Sequence, residues 1–456
     1  MRLNAPRSLV PIVALLSMIG CAYDEVELIS TGPLDDLARI PQDASLFAKS
    51  GATPVQEADG SRLANFEEYW YGPWEQTEPG VCTPEEFSWA ARSFSEKAVF
   101  GPNMLEISAS GVEAVTANAR LSTYPSRSSR GITVRNTAMR ALPSADPFYY
   151  DFRDAGEGYP FDYNQNSAVW AGTPLYISHT SRDGRFLAAE SPYTCGWIDA
   201  RDIAFVDPGF VEDFRSKSLT AVLRDRIPIN SDETGFLFQG RIGMLLPLAA
   251  HAGSEMHLLA PVADEGRRAL LLEARISERD AAGVPLPFSA GVPLPFSDDQ
   301  IAMLINEIIG QPYGWGGLGG HRDCSSTLLD IFLPVALPLP RNSGKQAGAG
   351  KVELIEQLSV AEKRERILAE AIPFRTTLNM AGHIMLYLGE FEGAPVAFHT
   401  IWGLRTESAD GSSSGRYLIG RSVITGLSPG LEISTLSRSR GDLLSRITSF
   451  TVLDEL

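Results

Sequence analysis

The chain is poor in positive charge, in cysteine and in histidine. Its 456 residues carry 39 Lys and Arg against 56 Asp and Glu, a net charge of −17, and no basic run stands out. A surface that follows nucleic-acid phosphates is basic, so the composition argues against a nucleic-acid partner. Four cysteines are too few for a disulfide-built scaffold. The rest of the composition, 44% hydrophobic and 21% charged, excludes a disordered, collagen-like or multi-span membrane chain.

The N-terminus has the pattern of an export signal. A positively charged start precedes a mostly apolar stretch over residues 9–20, which is too short to span a bilayer but typical of a secretory signal. It ends in Met18-Ile19-Gly20-Cys21, which resembles the bacterial lipoprotein cleavage box, whose cysteine becomes the lipid-bearing N-terminus. We expect a lipoprotein signal over 1–21, lipidation at Cys21 and membrane attachment only through that lipid. Ala22 carries no inner-membrane retention signal, which by resemblance predicts an outer-membrane lipoprotein facing the periplasm; an ordinary secreted protein is the alternative.

The remaining cysteines then lie in an oxidising compartment. They are Cys82, Cys195 and Cys324, and an odd number leaves at least one thiol unpaired or paired between chains. The sequence does not decide whether Cys82 and Cys195 pair. A free thiol in such a compartment needs either burial or a function.

The length suggests about three domains, at roughly 150 residues each. Residues 22–60 are polar and rich in Pro, Asp and Gly, which predicts a tether from the membrane. Residues 61–130 form the next segment. They open with an aromatic cluster over 66–74, and such clusters more often mark a core or a domain interface than a ligand site.

Short apolar runs separated by turn residues follow in two stretches, 131–212 and 213–281. Each stretch fits a small β-barrel, the second on weaker evidence, and Asp183-Gly184 is a hairpin signal within the first. A tandem duplication comes next, because residues 282–289 are repeated as 290–297. Two prolines per repeat favour an extended, stiff linker over 282–297.

Residues 298–456 form a separate domain that contains a glycine-rich loop and a cysteine. The loop over 311–320 has five glycines beside Tyr313 and Trp315, and we expect it to form a wall that a substrate backbone approaches closely. Cys324 begins an apolar helical run, where free backbone N–H groups and the helix dipole favour a thiolate and lower its pKa. The same amides can form an oxyanion hole. A cysteine in this position is, by itself, more often structural.

Two histidines favour a catalytic over a structural role for Cys324. The stretch over 382–389 indicates a strand and the stretch over 395–399 the next one, so His383 is expected roughly opposite His399. One imidazole can take the thiol proton while the other orients it, as in cysteine hydrolases. Cys324, His383 and His399 are therefore the candidate catalytic residues.

Two alternatives for the histidines stay open. They could be core residues that satisfy only each other, or they could bind zinc together with Cys324. No fourth ligand and no closely spaced ligand pair is evident in the sequence, so we expect no metal and no other cofactor.

Five motifs occur in the order seen in NlpC family cysteine peptidases: Pro312-Tyr313-Gly314-Trp315-Gly316-Gly317, Asp323-Cys324-Ser325, Leu339-Pro340-Arg341-Asn342-Ser343, Gly382-His383-Ile384-Met385-Leu386-Tyr387, and Phe398-His399 with Trp402-Gly403. The chain resembles the branch with two bacterial SH3-like domains. Residues 66–74 resemble its N-terminal stabilising segment, and 161–167 with 196–197 resemble its first SH3-like domain. The resemblance implies an α+β fold: a papain-like NlpC catalytic domain, preceded by two small SH3-like β-barrels and the stabilising segment.

The resemblance also implies an activity, that of a γ-D-glutamyl-L-diamino acid endopeptidase acting on peptidoglycan stem peptides. Cys324 would attack the γ-carbonyl, His383 would act as base and then acid, and His399 would orient His383. The implied substrate-binding residues, which help to hold the free amine of L-Ala or line the site, are Tyr313, Asp323, Ser325 and Ser343. In relatives a tyrosine of the first SH3-like domain closes the pocket, and Tyr163 is a candidate for it.

Two departures from the family pattern stand out: Ser326 occupies a place often held by glycine, and the duplication could shift the SH3-like domains relative to the catalytic domain. Two competing hypotheses remain as well. One is a lipid-anchored, peptidoglycan-binding SH3-like protein whose peptidase domain is catalytically silent. The other hypothesis is a hydrolase that cleaves a different bond, as an amidase or an acyl-chain thioesterase does.

Overall fold

The computed structural model of the chain describes residues 26–49, 60–80, 82–252, 255–277 and 289–453. The predicted signal and its Cys21 lie outside the described residues. Within these ranges the chain forms an N-terminal segment, two all-β domains and an α+β domain, and each of the three domains is built on a seven-stranded sheet. Over the same ranges no helix combines the length and the apolarity that crossing a bilayer requires.

The N-terminal segment is mainly helical. Its elements are β1 (Ile29–Ser30), α1 (Asp35–Arg39), α2 (Gly60–Glu75), α3 (Pro84–Glu96) and α4 (Ala109–Asn118). The predicted aromatic cluster lies on α2. The Trp74 ring packs edge-on against Phe210 and Phe214, and its Nε1 donates to the Gly131 carbonyl at 2.7 Å. The cluster is therefore a contact between the segment and the domain that follows it.

The prediction of a tether over 22–60 is wrong for residues 26–49. Here β1 pairs in parallel with the strand over Ser414–Gly426 of the C-terminal domain, which begins at residue 298. The Asp36 carboxylate accepts from the Gly426 N–H at 2.7 Å, and the Gln42 amide both donates to and accepts from the Ile424 backbone. The polar side chains that suggest a solvated linker in the sequence instead satisfy backbone groups of a strand almost four hundred residues away.

The first SH3-like domain follows as a β-sheet of short strands. It consists of β2 (Ser129–Thr133), β3 (Thr137–Arg140), β4 (Gln165–Val169), β5 (Pro174–Thr180), β6 (Phe186–Glu190), β7 (Cys195–Asp199) and β8 (Ile203–Phe205), in the order β4-β3-β7-β6-β5-β2-β8. The predicted hairpin is confirmed: β5 and β6 pair antiparallel, and Gly184 in the turn has a φ of 74° that favours glycine.

The second SH3-like domain begins after α5 (Pro208–Arg215). Its strands are β9 (Leu219–Val222), β10 (Ile227–Ser231), β11 (Gly235–Gly240), β12 (Leu245–Ala252), β13 (Glu255–Ala263), β14 (Ala269–Ser277) and β15 (Ser289–Gly291), in the order β11-β10-β14-β13-β12-β9-β15. The prediction of a linker over 282–297 is therefore wrong at β15, which pairs antiparallel with β9. Residues 288–292 contain no proline, so their amides are free to join a sheet.

Cys82 and Cys195, whose pairing the sequence leaves open, form a disulfide with 6.1 Å between their Cα atoms. The bond joins the N-terminal segment to β7 of the first SH3-like domain. Cys324 remains a free, buried thiol.

The C-terminal domain packs helices against a sheet that is antiparallel except where β1 pairs with the strand over Ser414–Gly426. Its elements are α6 (Asp298–Ile308), α7 (Cys324–Phe332), α8 (Ser343–Gln346), β16 (Lys351–Leu354), α9 (Val360–Glu370), β17 (Thr376–Met380), β18 (His383–Phe391), β19 (Ala394–Glu407), β20 (Ser414–Gly426), α10 (Leu443–Arg446) and β21 (Ser449–Val452). The sheet order is β1-β20-β19-β18-β17-β21-β16. Helix α7 contacts β18 and β19, where Phe332, Leu386 and Phe398 belong to one buried core. This packing holds the first residue of α7 close to the first residue of β18.

A buried cluster of charges joins all three domains around α7. Arg322, just before the helix, binds the Asp330 carboxylate at 2.6 Å and Asp225 of the second SH3-like domain at 3.0 Å. Trp170 of the first SH3-like domain donates its Nε1–H to Asp330 at 3.2 Å, and the Arg241 guanidinium lies 5.0 Å from the same indole ring. Two arginines and two aspartates balance one another there. We call Trp170, Asp225, Arg241, Arg322 and Asp330 the three-domain junction.

Candidate active site

Cys324 is the first residue of α7, as its sequence context predicts. Asp323 is the N-cap and forms a capping box with Ser326: its carboxylate accepts from the Ser326 N–H, and the Ser326 hydroxyl accepts from the Asp323 N–H, both at 2.9 Å. Ser326, which departs from the family pattern, thus satisfies an amide that would otherwise be unpaired at the helix start. Cys324 as a residue is only 9% exposed, and its thiol lies at the N–H of Ile384, the residue after His383.

The expectation of a lowered thiol pKa is wrong. Burial raises the pKa of Cys324 to about 12, and the neighbouring Asp323 carboxylate acts in the same direction. The Ile384 N–H and the Arg341 charge lower the pKa, but by less. Desolvation therefore outweighs the helix N-terminus, and the thiol is neutral near pH 7 and needs a base to become a nucleophile.

His383 and His399 are in direct contact. The His383 Nε2 lies 2.8 Å from the His399 Nδ1, and the His399 Nε2 lies 3.1 Å from the Thr425 hydroxyl. The pairing is diagonal rather than directly opposite, because the hairpin turn between Phe391 and Ala394 is shorter and lies farther along the chain than expected. A bulge at Leu388 takes back one residue of this shift, and Leu386 pairs with Phe398. The predicted contact is present although the predicted alignment is wrong by two residues.

The hydrogen bonds determine which nitrogen carries each proton. The Thr425 hydroxyl donates to the Gly426 carbonyl at 2.7 Å, so it accepts from the His399 Nε2–H. Burial lowers the pKa of His383 to about 3 and that of His399 well below its usual value, so both rings are neutral. A neutral His399 then accepts at Nδ1 from the His383 Nε2–H. His383 is left with an unprotonated Nδ1, the lone pair that a general base requires.

The predicted substrate-binding residues beside the thiol are held by an arginine that sequence reasoning missed. Arg341 donates to the Asp323 carboxylate at 2.6 Å, to the Ser325 hydroxyl at 2.8 Å and to the Ser167 hydroxyl at 2.9 Å. Although burial alone raises the pKa of Asp323, Arg341 keeps it below the usual value. The signal was present, because Arg341 lies inside the motif that ends in Ser343.

Tyr313 and Ser343, the other two predicted substrate-binding residues, have different surroundings. The Tyr313 ring contacts Phe161 and Trp402, at 6.2 and 5.9 Å between centroids, and its pKa is raised by burial and by Asp323 and Cys324. Ser343 begins α8 and is partly exposed. That helix reaches α7 through Gln346, which the sequence did not single out and whose amide donates to the Ser325 carbonyl at 2.9 Å.

The glycine-rich loop faces the first SH3-like domain. A Cβ on Gly316 would lie 2.2 Å from the Gln165 carbonyl oxygen, and one on Gly317 would lie 2.5 Å from the Ala168 nitrogen. We expected these glycines to let a substrate backbone approach closely. At Gly316 and Gly317 that expectation is wrong, because the backbone that approaches them is strand β4 of the first SH3-like domain. Tyr163 contacts the same loop, with its ring 5.5 Å from that of Trp315 and its hydroxyl donating to Glu157 at 2.7 Å.

Within the described ranges, no group of three or more His, Cys, Asp or Glu side chains has the geometry of a metal site. The two histidines contact each other, and the Cys324 thiol lies at the N–H of Ile384, the residue that follows His383. The remaining partners of the site, Arg341, Gln346 and Thr425, support these groups or their neighbours through hydrogen bonds.

Comparisons with known proteins match every part of this architecture. The family model of the NLPC_P60 N-terminal stabilising domain matches residues 10–124, and that of the NlpC/P60 family matches 310–401. Models of SH3 domains of the SH3b1 and SH3b2 types match 147–199 and 207–251. A search of curated proteins finds no match.

Two of the solved structures that resemble the chain differ in how closely they match it. An NlpC/P60 endopeptidase from Photobacterium damselae subsp. piscicida is 27% identical, with 93% of this chain and 99% of that chain covered and a TM-score of 0.79. An NlpC/P60 family protein from Bacillus cereus ATCC 10987 is 14% identical, with 70% and 98% covered and a TM-score of 0.46. Only the first similarity is close enough to support an argument about this chain.

The papain-like α+β domain, with a helix-borne thiol beside a histidine pair, defines a cysteine hydrolase. Two SH3-like domains and a stabilising segment precede it, in the order of the matching family models. The chain belongs to the NlpC/P60 family, a peptidoglycan hydrolase family of cysteine peptidases, in the branch with two bacterial SH3-like domains.

Proposed function

We propose that the protein is a thiol endopeptidase that cleaves the bond between D-Glu and the diamino acid of peptidoglycan stem peptides. The observation that carries the proposal is the proton arrangement around Thr425, His399 and His383. It leaves an unprotonated Nδ1 on His383, whose neighbour Ile384 presents its N–H to the Cys324 thiol. The motif resemblance and the 27% identity to an NlpC/P60 endopeptidase support the substrate class.

In the proposed reaction, His383 Nδ1 takes the thiol proton as the Cys324 sulfur attacks the γ-carbonyl of D-Glu. The oxyanion that forms is stabilised by backbone N–H groups at the start of α7. His383 then gives its proton to the departing amine of the diamino acid, which leaves a thioester on Cys324. Water, deprotonated by His383, releases the acyl product and restores the thiol. Because the thiol starts out neutral, the first proton transfer accompanies attack rather than preceding it.

Tyr313, Asp323, Ser325 and Ser343 are proposed to bind the L-Ala-D-Glu part of the substrate. A carboxylate beside the nucleophile suits a free L-Ala ammonium, but the Asp323 carboxylate already pairs with Arg341. An ammonium that approaches Asp323 therefore gains less than the motif alone suggests. The contribution of the free amine is best measured with substrates whose L-Ala is free or blocked.

The test of the function is a digest of L-Ala-γ-D-Glu-meso-diaminopimelate by the purified protein, analysed by mass spectrometry. We expect L-Ala-D-Glu and free diaminopimelate as products, at a higher rate with free than with acetylated L-Ala. Intact substrate under conditions where the protein is folded would reject the proposal. Products cut at a different bond would identify an amidase or another hydrolase instead.

We also propose that the protein is exported and held at the outer membrane by a lipid on Cys21. The Cys82–Cys195 disulfide supports export, because such bonds persist in oxidising compartments. Expression of the full chain and of Cys21→Ser in a Gram-negative host, followed by membrane fractionation, tests this. Recovery of both proteins in the same fraction would contradict lipidation at Cys21.

A further inference from the structure

Four arginines line one cavity of the catalytic domain, although the chain as a whole carries a net charge of −17. They are Arg405 on β19, Arg416 on β20, Arg446 at the end of α10 and Arg440 on the loop before it. The cavity has a volume of about 170 Å³, and none of its lining residues is acidic. That volume equals five or six waters in the liquid, which is room for one short carboxylate-bearing side chain. We call this the arginine pocket.

The arrangement is unfavourable unless an anion is present. Arg405 and Arg416 are directly opposite each other in the β19–β20 ladder, and like charges in such a pair repel. Burial, together with the charges of Arg405 and Arg446, lowers the pKa of Arg416 to about 10. The Arg405 Nε is buried without a hydrogen-bond partner among the described residues. A bound carboxylate would satisfy these donors and remove the repulsion.

One carboxylate lies close to the pocket without lining it. Glu157, on a loop of the first SH3-like domain, acts electrostatically on Arg416, but it already accepts a hydrogen bond from the Tyr163 hydroxyl at 2.7 Å. Gly156 beside it lies against the Arg416 guanidinium, which a Cβ would approach to 2.7 Å. The first SH3-like domain thus covers one side of the pocket. Among the described residues, the other three pocket arginines, Arg405, Arg440 and Arg446, have no carboxylate partner.

The pocket adjoins the catalytic base. Arg446 donates to the Ala381 carbonyl at 3.1 Å, in the turn that leads into His383, and its charge lowers the pKa of His383. The departing amine must come within hydrogen-bond reach of His383 to receive its proton. The diamino acid attached to that amine therefore lies on the His383 side of the thiol. Asp323 and Ser325, the proposed contacts of the acyl part, are on α7 and its N-cap.

We propose that the arginine pocket binds the side-chain carboxylate of diaminopimelate on the leaving-group side of the bond and so selects this residue over diamino acids that lack the carboxylate. The proposal rests on the proposed function. Guanidinium groups bind carboxylates through paired hydrogen bonds, and hydrogen bonds to a charged group are strong enough to give a preference of about 10- to 100-fold.

The test compares two tetrapeptide stems that differ in one group. The first carries meso-diaminopimelate, and the second carries the same residue with its side-chain carboxylate converted to the carboxamide. Both keep the same C-terminal D-Ala carboxylate, so a preference for the first reports the side-chain group alone. We expect kcat/KM of the wild-type protein to be at least about tenfold higher for the carboxylate, and Arg416→Gln to bring this ratio close to one.

Arg405→Gln is the second variant, and Arg438→Gln is the matched control, since Arg438 is an exposed arginine outside the pocket. Removing either Arg405 or Arg416 relieves the repulsion between them, so both variants are expected to stay folded. The kinetic comparison uses the variant whose melting temperature equals that of the wild type. If the ratio of kcat/KM for the carboxylate stem to kcat/KM for the carboxamide stem is the same in the wild-type and the folded variant proteins, the proposed role of the pocket is wrong. Cleavage of neither stem by the wild type overturns the proposed function, and cleavage of both at equal rates overturns the pocket alone.

Discussion

Cys324→Ala is expected to lower kcat for stem-peptide cleavage by about 10,000-fold or more, because acyl transfer then has no nucleophile. Cys324→Ser is expected to be nearly as inactive, since a buried hydroxyl is harder to deprotonate than a thiol whose pKa is already about 12. Neither change touches the capping box, in which Asp323 and Ser326 pair through other atoms. Steady-state kinetics and thermal denaturation of the same preparations measure the two effects separately.

The other two cysteines in the described ranges provide the matched control. The double variant Cys82→Ala/Cys195→Ala removes the disulfide and is expected to lower the free energy of unfolding by about 2–5 kcal/mol. Measured below its melting temperature, it should keep most of its kcat, because the disulfide joins the N-terminal segment to β7 rather than to α7. If Cys324→Ala retained more than about a tenth of the wild-type rate, the thiol could not be the nucleophile.

His383→Ala is expected to lower kcat/KM by about 100- to 10,000-fold, which is the usual range for loss of a general base. His399 acts through His383, so its replacement is expected to cost less and to depend on the new side chain. Asparagine can still accept from the His383 Nε2–H, so His399→Asn should lose on the order of 10- to 100-fold. Leucine cannot accept, and His399→Leu should approach His383→Ala.

The pH profile gives a second measure of the same prediction. Since burial lowers the pKa of His383 to about 3, its Nδ1 stays unprotonated far below pH 6.5. Activity is lost only when falling pH protonates that nitrogen, so the acid limb of kcat/KM should lie well below 6.5. An acid limb near 6.5, or full activity of His399→Leu, would show that the histidine pair does not work as assigned.

Features that depend on local sequence could be predicted well. The helix that starts at Cys324 follows from Asp323 and the apolar run after it, and the turn at Asp183-Gly184 needs only two residues. The contact between His383 and His399 follows from two neighbouring strand patterns. The alignment does not follow, because the residue types do not show where within 389–394 the tight turn falls, nor that a bulge at Leu388 takes back one residue of the shift.

Features that depend on distant parts of the chain were missed. The helix N-terminus beside Cys324 is visible in the sequence, but the burial that raises the thiol pKa comes from elements packed around it. Asp36 and Gln42 look like linker residues until the strand over Ser414–Gly426 is placed beside them. The role of Gly316 is likewise invisible without Gln165, about 150 residues earlier.

The three-domain junction limits how far the protein can be taken apart. A fragment beginning at residue 298 would keep Arg322 and Asp330 but lose Asp225 and Trp170, their partners in the SH3-like domains. Two formerly buried charged groups would face water, one just before α7 and one near its end. The SH3-like domains thus help to hold α7 in place, and exchanging one of them for a homologue would require its Asp225 or Trp170 equivalent to be kept.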